Sequence, residues 1–316
     1  MPTAISGGTR IRTNIPAMNA YNSLLSSNQE VATKQLRLST GKRINSAADD
    51  VSGYITSRAL MARNGSLKMA QLSTGEAKSV TSISQDALDN INTLVTSIKD
   101  AAATASSGAL CTDEKVALAK GAYRMAQQVQ FAVDSTVFGG KQLLQGSYSG
   151  DWTVGYYADN SLLTLGIDLT TANADFNVKS QNFNLNAIAS AKAGHTSDFA
   201  GVTGLDLESL NSVTDSNLGI FSDSEISTTL SSLAEALNSV NKVASYLGGI
   251  EVRLNSQDEL LKSQITNYSA AISRIEDADI AQEQLDLIKS QFLQQASIIS
   301  LAQSNQTPQT YLQLLG

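Results

Sequence analysis

The amino-terminal stretch repeats hydrophobic or small residues every three or four positions, a spacing that places them on one face of a helix. The seam begins at Ile11, and polar residues interrupt it. Its further positions are Ile15, Met18, Asn22, Leu25, Gln29, Ala32 and Leu36. The pattern predicts a first long helix with an apolar stripe along one side.

A second helical pattern runs from about Val51 to Ala105, and it would be roughly 80 Å long at 1.5 Å per residue. Its seam comprises Leu88, Ile91, Val95, Ile98, Ala102 and Ala105. The chain contains only three prolines, Pro2, Pro16 and Pro308. Very long helices are therefore expected between them, because proline is the strongest helix breaker.

A third helix is expected after a break at Gly108, with Thr112 or Asp113 as its N-cap. We expect this helix to end at Gly139 and Gly140, since glycine commonly follows the last turn of a helix.

The middle of the chain changes to an alternating pattern. Hydrophobic residues occupy every second position on both sides of the sequence ADNS. They are Trp152, Val154 and Tyr156 before it, and Leu163, Leu165, Ile167 and Leu169 after it. Alternation on both sides of a turn predicts a β-hairpin. Residues 172–219 are polar and irregular, so we expect loop with short elements there.

Helical spacing returns after Ser222, whose distance to Glu225 along the chain predicts a capping box. The stripe of the last helix consists of Leu285, Ile288, Phe292, Ala296 and Ile299, and the tail TYLQLLG adds a packing patch that includes Leu312 and Leu315. Neither terminal helix can bury its stripe alone. Each must pair with the other or with another copy of the chain.

The segment LSTGKRINSAADDVSG joins the first two helical patterns. It holds Gly41, two cations including Arg43, and the carboxylates Asp49 and Asp50. A chain with few helix breakers has a charged, glycine-containing connector at this point, which indicates a defined change of direction.

Composition excludes several classes of function. Only 5% of the 316 residues are aromatic, and the net charge is -7 without a basic stripe. Surfaces that bind nucleic acid or anionic membranes need clustered Lys and Arg, so neither partner is expected. The sequence also has no apolar run long enough to span a bilayer and no signal-peptide core near its start.

Candidate chemistry is sparse. Cys111 is the single cysteine and His195 the single histidine, so an internal disulfide, a four-ligand zinc site and a catalytic triad all lack components. We read the acidic run IEDAD as a solvated helix face, since it lacks the glycine and terminal Glu of a calcium loop. We expect no enzyme, no cofactor and no metal site.

Two long terminal motifs resemble those of bacterial flagellin. They are LRLSTGKRINSAADDVSG near the start and SRIEDADIAQEQLDLIKSQFLQQASIISLAQSNQTPQTYLQLLG at the end, and TNIPAMNAYNSL, QDALDNIN and FGGKQLLQGSYSG follow the family order. The resemblance implies a mainly α-helical fold of long antiparallel helices with a terminal coiled coil, a small β-hairpin region and a short variable insert. The implied domains are 1–44 with 275–316 (inner tube), 45–174 with 225–274 (outer tube) and 175–224 (insert).

The resemblance further implies a structural subunit that polymerises into the flagellar filament for swimming motility. The implied polymerisation interface consists of Ile15, Met18, Leu25, Leu36, Gly41, Arg43, Asp49, Asp50, Ile288, Phe292, Ile299, Leu312 and Leu315. The implied partners are other copies of the chain, the flagellar export apparatus, a flagellin chaperone, the filament cap and the hook-filament junction proteins. The implied location is the extracellular filament, reached without a cleaved signal peptide.

Flagellins that the vertebrate innate receptor detects well resemble one another in an Arg-Val-Arg-Glu-Leu ridge on the second long helix. An ungapped alignment places that ridge on Ser97, Ile98, Lys99, Asp100 and Ala101 of this chain. The first Arg is replaced by Ser and the Leu by Ala, so we expect weak recognition.

Two alternatives stay open at this point. A hook-filament junction protein shares the STGKR-like start, but the complete C-terminal motif argues against it. A chemoreceptor-like signalling hairpin needs a membrane span and one mirrored pair of seams, whereas a β-rich insert separates the seams of this chain.

Overall fold

The computed structural model describes residues 13–157, 161–170, 202, 205, 207 and 209–315, with side chains up to residue 307. The described chain forms five α-helices: α1 (Ile15–Thr40), α2 (Val51–Ala105), α3 (Thr112–Ser135), α4 (Ile226–Glu276) and α5 (Ile280–Leu315). It also forms four strands: β1 (Val137–Phe138), β2 (Lys141–Gln142), β3 (Ser147–Tyr156) and β4 (Leu162–Thr170). The prediction of a mainly α-helical fold with a small β-hairpin region is confirmed.

The chain divides into two compact units. Unit 1 comprises Met1–Gly65 and Thr266–Gly316, and unit 2 comprises Ser66–Ile265. The division into inner-tube, outer-tube and insert domains stays a prediction.

Unit 2 has a conventional apolar core. All six residues of the predicted α2 seam are buried, and α3 supplies small residues such as Ala119, Ala122 and Ala126. From α4 the core receives large aliphatic side chains, among them Leu233, Leu247 and Leu254. Small residues on α3 let the helices approach closely, while the large ones fill the space between them.

The predicted hairpin is present. Strands β3 and β4 pair antiparallel with Trp152 opposite Leu165, and a register shift lies between Thr153 and Gly155. Ile167 and Leu169 are buried in the unit 2 core. Alternation therefore identified the core face of β4.

Three local predictions were wrong. Helix α3 ends at Ser135, before Gly139 and Gly140, which adopt positive φ angles in the turn between β1 and β2. The N-cap of α3 is Cys111. Ser222 forms no capping box with Glu225: the Glu225 N–H donates to the Ser222 carbonyl oxygen, and the Ser222 hydroxyl pairs with that of Ser224.

Candidate functional site

Unit 1 is unusual because most of its buried residues are polar. Among the described residues, the buried apolar ones are Ala20 and Ile44. The buried polar ones are Ser27, Ser57, Asn64, Glu276, Glu283 and Ser290. Since apolar burial is the main favourable term in folding, this unit has little core of its own.

Helices α1 and α5 pair antiparallel through a seam that mixes aliphatic, small and polar residues. The least exposed positions recur every three or four residues on each helix. On α1 they are Ala17, Ala20, Leu24, Ser27, Val31, Lys34 and Leu38, and on α5 they are Glu283, Leu287, Ser290, Gln294, Ser297, Leu301 and Ser304. Coiled-coil spacing is thus present, but apolar residues occupy only part of it.

Polar side chains link the two helices along this seam. The Asn14 amide donates to the Ser304 carbonyl oxygen over 2.8 Å, and the Gln294 amide donates to the Asn28 side-chain oxygen over 2.6 Å. The Ser290 hydroxyl donates to Glu30 over 3.2 Å. These bonds satisfy polar groups that the pairing removes from water.

A cluster of four charges, which we call the ion cluster, lies at the connector end of the pair. Lys34 Nζ lies 2.9 Å from Glu283 and 2.8 Å from Asp286, and Arg37 lies 3.2 Å from Glu283. Hydrogen bonding to Lys34 lowers the pKa of Asp286. Desolvation opposes the charged form of Lys34, but its two carboxylate partners outweigh that effect and raise its pKa.

The connectors before α2 and before α5 are joined by backbone hydrogen bonds. Gly41 ends α1 with a φ of 69°, a left-handed conformation that favours glycine. Lys42 forms an antiparallel bridge with Asp277. The Arg43 N–H donates to the Glu276 carbonyl oxygen over 2.6 Å, and the Ala278 N–H donates to the Gly41 carbonyl oxygen over 2.9 Å. The two helix breaks are therefore one joined structure.

The interpretation of the IEDAD run as a solvated helix face was only partly correct: Asp277 and Asp279 are exposed, but the helix ends at Glu276, and Glu276 is buried. Glu276 is 3% exposed and forms a 2.7 Å ion pair with Lys42. Asp279 accepts hydrogen bonds from the N–H groups of Ala281 and Gln282, as a cap of α5 does. The partner of Glu276 lies far away in sequence, so local charge patterning could not identify it.

The connector carboxylates have partners within the chain. Asp49 accepts from the N–H groups of Ser46 and Asn45, and these bonds lower its pKa. Asp50 accepts from the Gly53 N–H over 2.9 Å, at the start of α2. The Arg43 guanidinium donates to the Ile275 carbonyl oxygen over 2.8 Å. Contacts of these residues with other subunits stay a prediction.

The predicted apolar stripes of α1 and α5 face away from the α1–α5 seam. On α1, Met18 is 58% exposed, and Ile15, Leu25 and Leu36 are also exposed. On α5, Ile288 is 54%, Phe292 70% and Ile299 69% exposed. The two stripes therefore do not cover each other within one chain, which was one of the two predicted ways of burying them. We call these two stripes the outward apolar faces.

The other predicted residues are dispersed. Leu312 and Leu315 lie within α5, but their side chains are outside the described residues, and so is all of His195. Cys111 is exposed, and its N–H donates to Glu114. On α2, Asp100 is exposed, whereas Ser97, Lys99 and Ala101 are half-buried.

No group of three or more His, Cys, Asp or Glu side chains suited to a metal ion occurs in the described parts of the chain. Over the same residues, none of the helices combines the length and apolar character needed to cross a membrane.

The hydrophobic pattern did not predict the α1–α5 seam or the ion cluster. On α5 the seam contains only two apolar residues, Leu287 and Leu301. On α1 its apolar residues recur as regularly as those of the outward stripe, so hydrophobic periodicity does not single out the seam. A usable signal exists in the charges: Lys34 and Arg37 are three residues apart on α1, and Glu283 and Asp286 are three apart on α5. Opposite charges with the same spacing on two helices indicate a pairing surface.

Family models match both ends of the chain. The model of the bacterial flagellin N-terminal helical region matches residues 11–149, and that of the C-terminal helical region matches residues 230–315. Together with the paired terminal helices, these matches define a helical structural protein of the bacterial flagellum. The chain belongs to the bacterial flagellin family.

Relatives match over almost their whole length. Flagellin of Bacillus subtilis (strain 168) is 28% identical over 317 residues, covering 97% of this chain and 99% of the relative. Flagellin of Halalkalibacterium halodurans is 27% identical, covering 96% of this chain and 99% of the relative. Flagellin B of Vibrio cholerae is 25% identical, with coverages of 97% and 99%.

A solved structure has a similar fold. It is that of a protein assigned as a flagellar hook-associated protein from Vibrio parahaemolyticus, with a TM-score of 0.54 and 14% sequence identity. The match covers 72% of this chain and 100% of the solved one. At this identity the likeness concerns the fold alone.

Proposed function

We propose that this flagellin polymerises through the outward apolar faces of α1 and α5, which neighbouring copies cover in the flagellar filament. As a member of its family, the chain is a structural subunit of that filament. The proposed contact residues are Ile15, Met18, Leu25, Leu36, Ile288, Phe292, Ile299, Leu312 and Leu315.

One observation carries the proposal: unit 1 buries polar residues inside the pair and exposes apolar residues outside it. Fully burying a side chain such as Phe292 or Ile288 is worth roughly 1.5–3 kcal/mol. Several such residues line each helix, so covering them supplies the apolar burial that the pair lacks. A single copy has no further element of unit 1 with which to cover them within the described chain.

The arrangement also favours an open polymer over a closed dimer. The face of α1 and the face of α5 differ in sequence, so a contact between unlike faces is heterologous. Heterologous contacts that do not close generate helical filaments.

The test introduces a carboxylate into the face of α5. Phe292→Asp or Ile288→Asp should abolish filament formation, because a buried unpaired carboxylate costs several kcal/mol. Filament formation by the purified protein is measured by sedimentation and electron microscopy after salt-induced polymerisation. The unfolding of unit 2, followed by circular dichroism, should stay unchanged.

Ser300→Asp is the matched control. Ser300 lies on the same helix and is also exposed, but it lies about 120° around the helix axis from Ile288 and about 80° from Phe292. This variant should still polymerise. Filaments of normal length from Phe292→Asp and Ile288→Asp would refute the proposal, and so would equal loss in all three variants.

Connector residues take part in the proposed contacts as well. Gly41 sets the direction of the chain, and Arg43, Asp49 and Asp50 lie at an exposed or half-buried edge of the connector. Their charges could fix the orientation of neighbouring subunits in addition to their bonds within the chain.

The remaining partners follow from the family assignment. The proposed ones are the export apparatus, a flagellin chaperone, the filament cap and the hook-filament junction proteins. The proposed route is export without a cleaved signal peptide to the extracellular filament. We propose that the role is structural and involves no catalysis. We assign no function to Cys111 or His195.

A further inference from the structure

All acidic and basic residues of α1 and α5 lie near the connector. On α1 they are Glu30, Lys34 and Arg37, and on α5 they are Glu283, Asp286 and Lys289. No Asp, Glu, Lys or Arg occurs from Ile15 to Gln29 or from Ser290 to Leu315. The charged end and the uncharged remainder of the pair must therefore contribute differently to pairing.

The uncharged part of the seam has little means of fixing the register. Small residues recur along both helices: the uncharged seam positions are Ala17, Ala20, Leu24, Ser27 and Val31 on α1, and Ser290, Gln294, Ser297, Leu301 and Ser304 on α5. A slip by one heptad would move α5 about 10 Å along α1 and would again place small or polar residues opposite each other. After such a slip the Asn14 amide could bond another backbone carbonyl oxygen, whereas Asn28 would face Leu287 or Leu301 and lose its exposed bond to Gln294.

The ion cluster has no equivalent after a slip. A shift of about 10 Å would remove Lys34 and Arg37 from Glu283 and Asp286, far beyond ion-pair distance. The side chain of Glu283 is only 9% exposed, so losing its partners would leave a largely buried charge uncompensated. Exposed ion pairs contribute little, but this group is a partly buried network of three contacts.

We propose that Lys34, Arg37, Glu283 and Asp286 select α5 as the partner of α1 and fix the register of the two helices. A pair of two α1 helices would offer its cations no comparable acceptor, since Glu30 is the only acidic residue of α1. Buried polar and ionic groups fix register in coiled coils in the same way. The inference rests on the proposed function in so far as the pair is tested within filaments.

The test uses a cross-link as a reporter of register. Asn28 and Gln294 contact each other in the pair, so Asn28→Cys and Gln294→Cys place two thiols side by side. Cys111→Ser removes the only natural thiol. A short bismaleimide should then link α1 and α5 in filaments, and the yield is measured by mass spectrometry of the digested protein.

Charge reversal and charge exchange are compared in this background. Lys34→Glu with Arg37→Glu should lower the 28–294 cross-link yield by about tenfold or more, as loss of coupled ion pairs in an interface does. Adding Glu283→Arg and Asp286→Lys exchanges the charges of the two helices. The exchange should restore the yield to at least about a third of its original value.

Lys289→Gln is the matched control, because it removes a charge on the same helix outside the three ion pairs and adds no carboxylate beside Asp286. It should keep the full yield. The proposal is overturned if the reversal variant keeps its yield, or if the exchange restores nothing while unit 2 still unfolds normally.

If the reversal variant forms no filaments, recovery of filaments by the exchange supports the proposal, and no recovery overturns it. The two proposals can fail independently. The Asp variants of the outward faces test polymerisation while the ion cluster is intact. A reversal variant that polymerises in the original register refutes the ion-cluster proposal alone.

Discussion

At the scale of single residues, Gly53 shows how the connector constrains side-chain size. A Cβ atom at this position would lie 2.5 Å from Asp50 Oδ2 and 2.6 Å from Ile44 Cδ1. Ile44 is one of the two apolar residues that are buried in the described part of unit 1, and Asp50 caps α2. The requirement for glycine here comes from close approach, because its φ angle is not in the left-handed region.

Gly53→Ala should destabilise unit 1. The added methyl group must displace either the buried Ile44 side chain or the Asp50 cap, and overpacking of this kind costs about 1–3 kcal/mol. We expect a lower melting temperature of the assembled filament, measured by scanning calorimetry.

Gly65→Ala is the control on the same helix, because a Cβ there meets nothing within 4 Å. It should leave the melting temperature unchanged or raise it, since alanine is favoured over glycine inside helices. A melting temperature for Gly53→Ala equal to or above that of Gly65→Ala would contradict this account.

At the scale of elements, the hydrophobic pattern predicts the packed face of a helix when that face is apolar. It does not predict the packed face when polar residues occupy much of it. The α2 seam was predicted from Leu88 to Ala105 because its residues face an apolar core, whereas the buried Ala77 and Val80 before it were not predicted. On α1 and α5 the same periodicity identified the outward faces. The pairing seam includes polar residues such as Ser27, Glu283 and Ser290, and on α5 only Leu287 and Leu301 are apolar, so the hydrophobic pattern does not single it out. Its position depends on contacts between residues far apart in sequence.

The α2 positions that we predict to match the receptor ridge also belong to this scale. The Ser97 hydroxyl donates to the Thr93 carbonyl oxygen of its own helix, and Ala101 packs against the unit 2 core. Neither side chain replaces the Arg or the Leu that the family ridge presents. Serine lacks the planar fork of arginine, and alanine presents less apolar area than leucine.

We therefore predict weak signalling through the vertebrate innate receptor for flagellin. Restoring the side chains with Ser97→Arg and Ala101→Leu should raise potency by up to about 100-fold, with the usual non-additivity of interface residues. A reporter-cell assay on monomers measures this, with thermal unfolding of unit 2 as the control for folding. Full potency of the original chain, or no gain in the variant, would count against the prediction.

At the scale of the whole molecule, the two units differ in what stabilises them. Unit 2 encloses an apolar core from α2, α3, α4 and the β3–β4 hairpin. Unit 1 buries mainly polar residues and exposes its large apolar ones. Segments with too little apolar burial to offset their chain entropy become ordered when a partner covers them. The central claim is that other copies of the chain complete unit 1.

Hydrogen exchange followed by mass spectrometry, on monomers and on filaments, tests this claim most directly. In the monomer, peptides before about Ile44 and after about Ile275 should exchange fast, while those from the α2, α3 and α4 core of unit 2 exchange slowly. In the filament, both terminal segments should become protected. Strong protection of α1 and α5 in verified monomer, or fast exchange of both helices in intact filaments, would contradict the account.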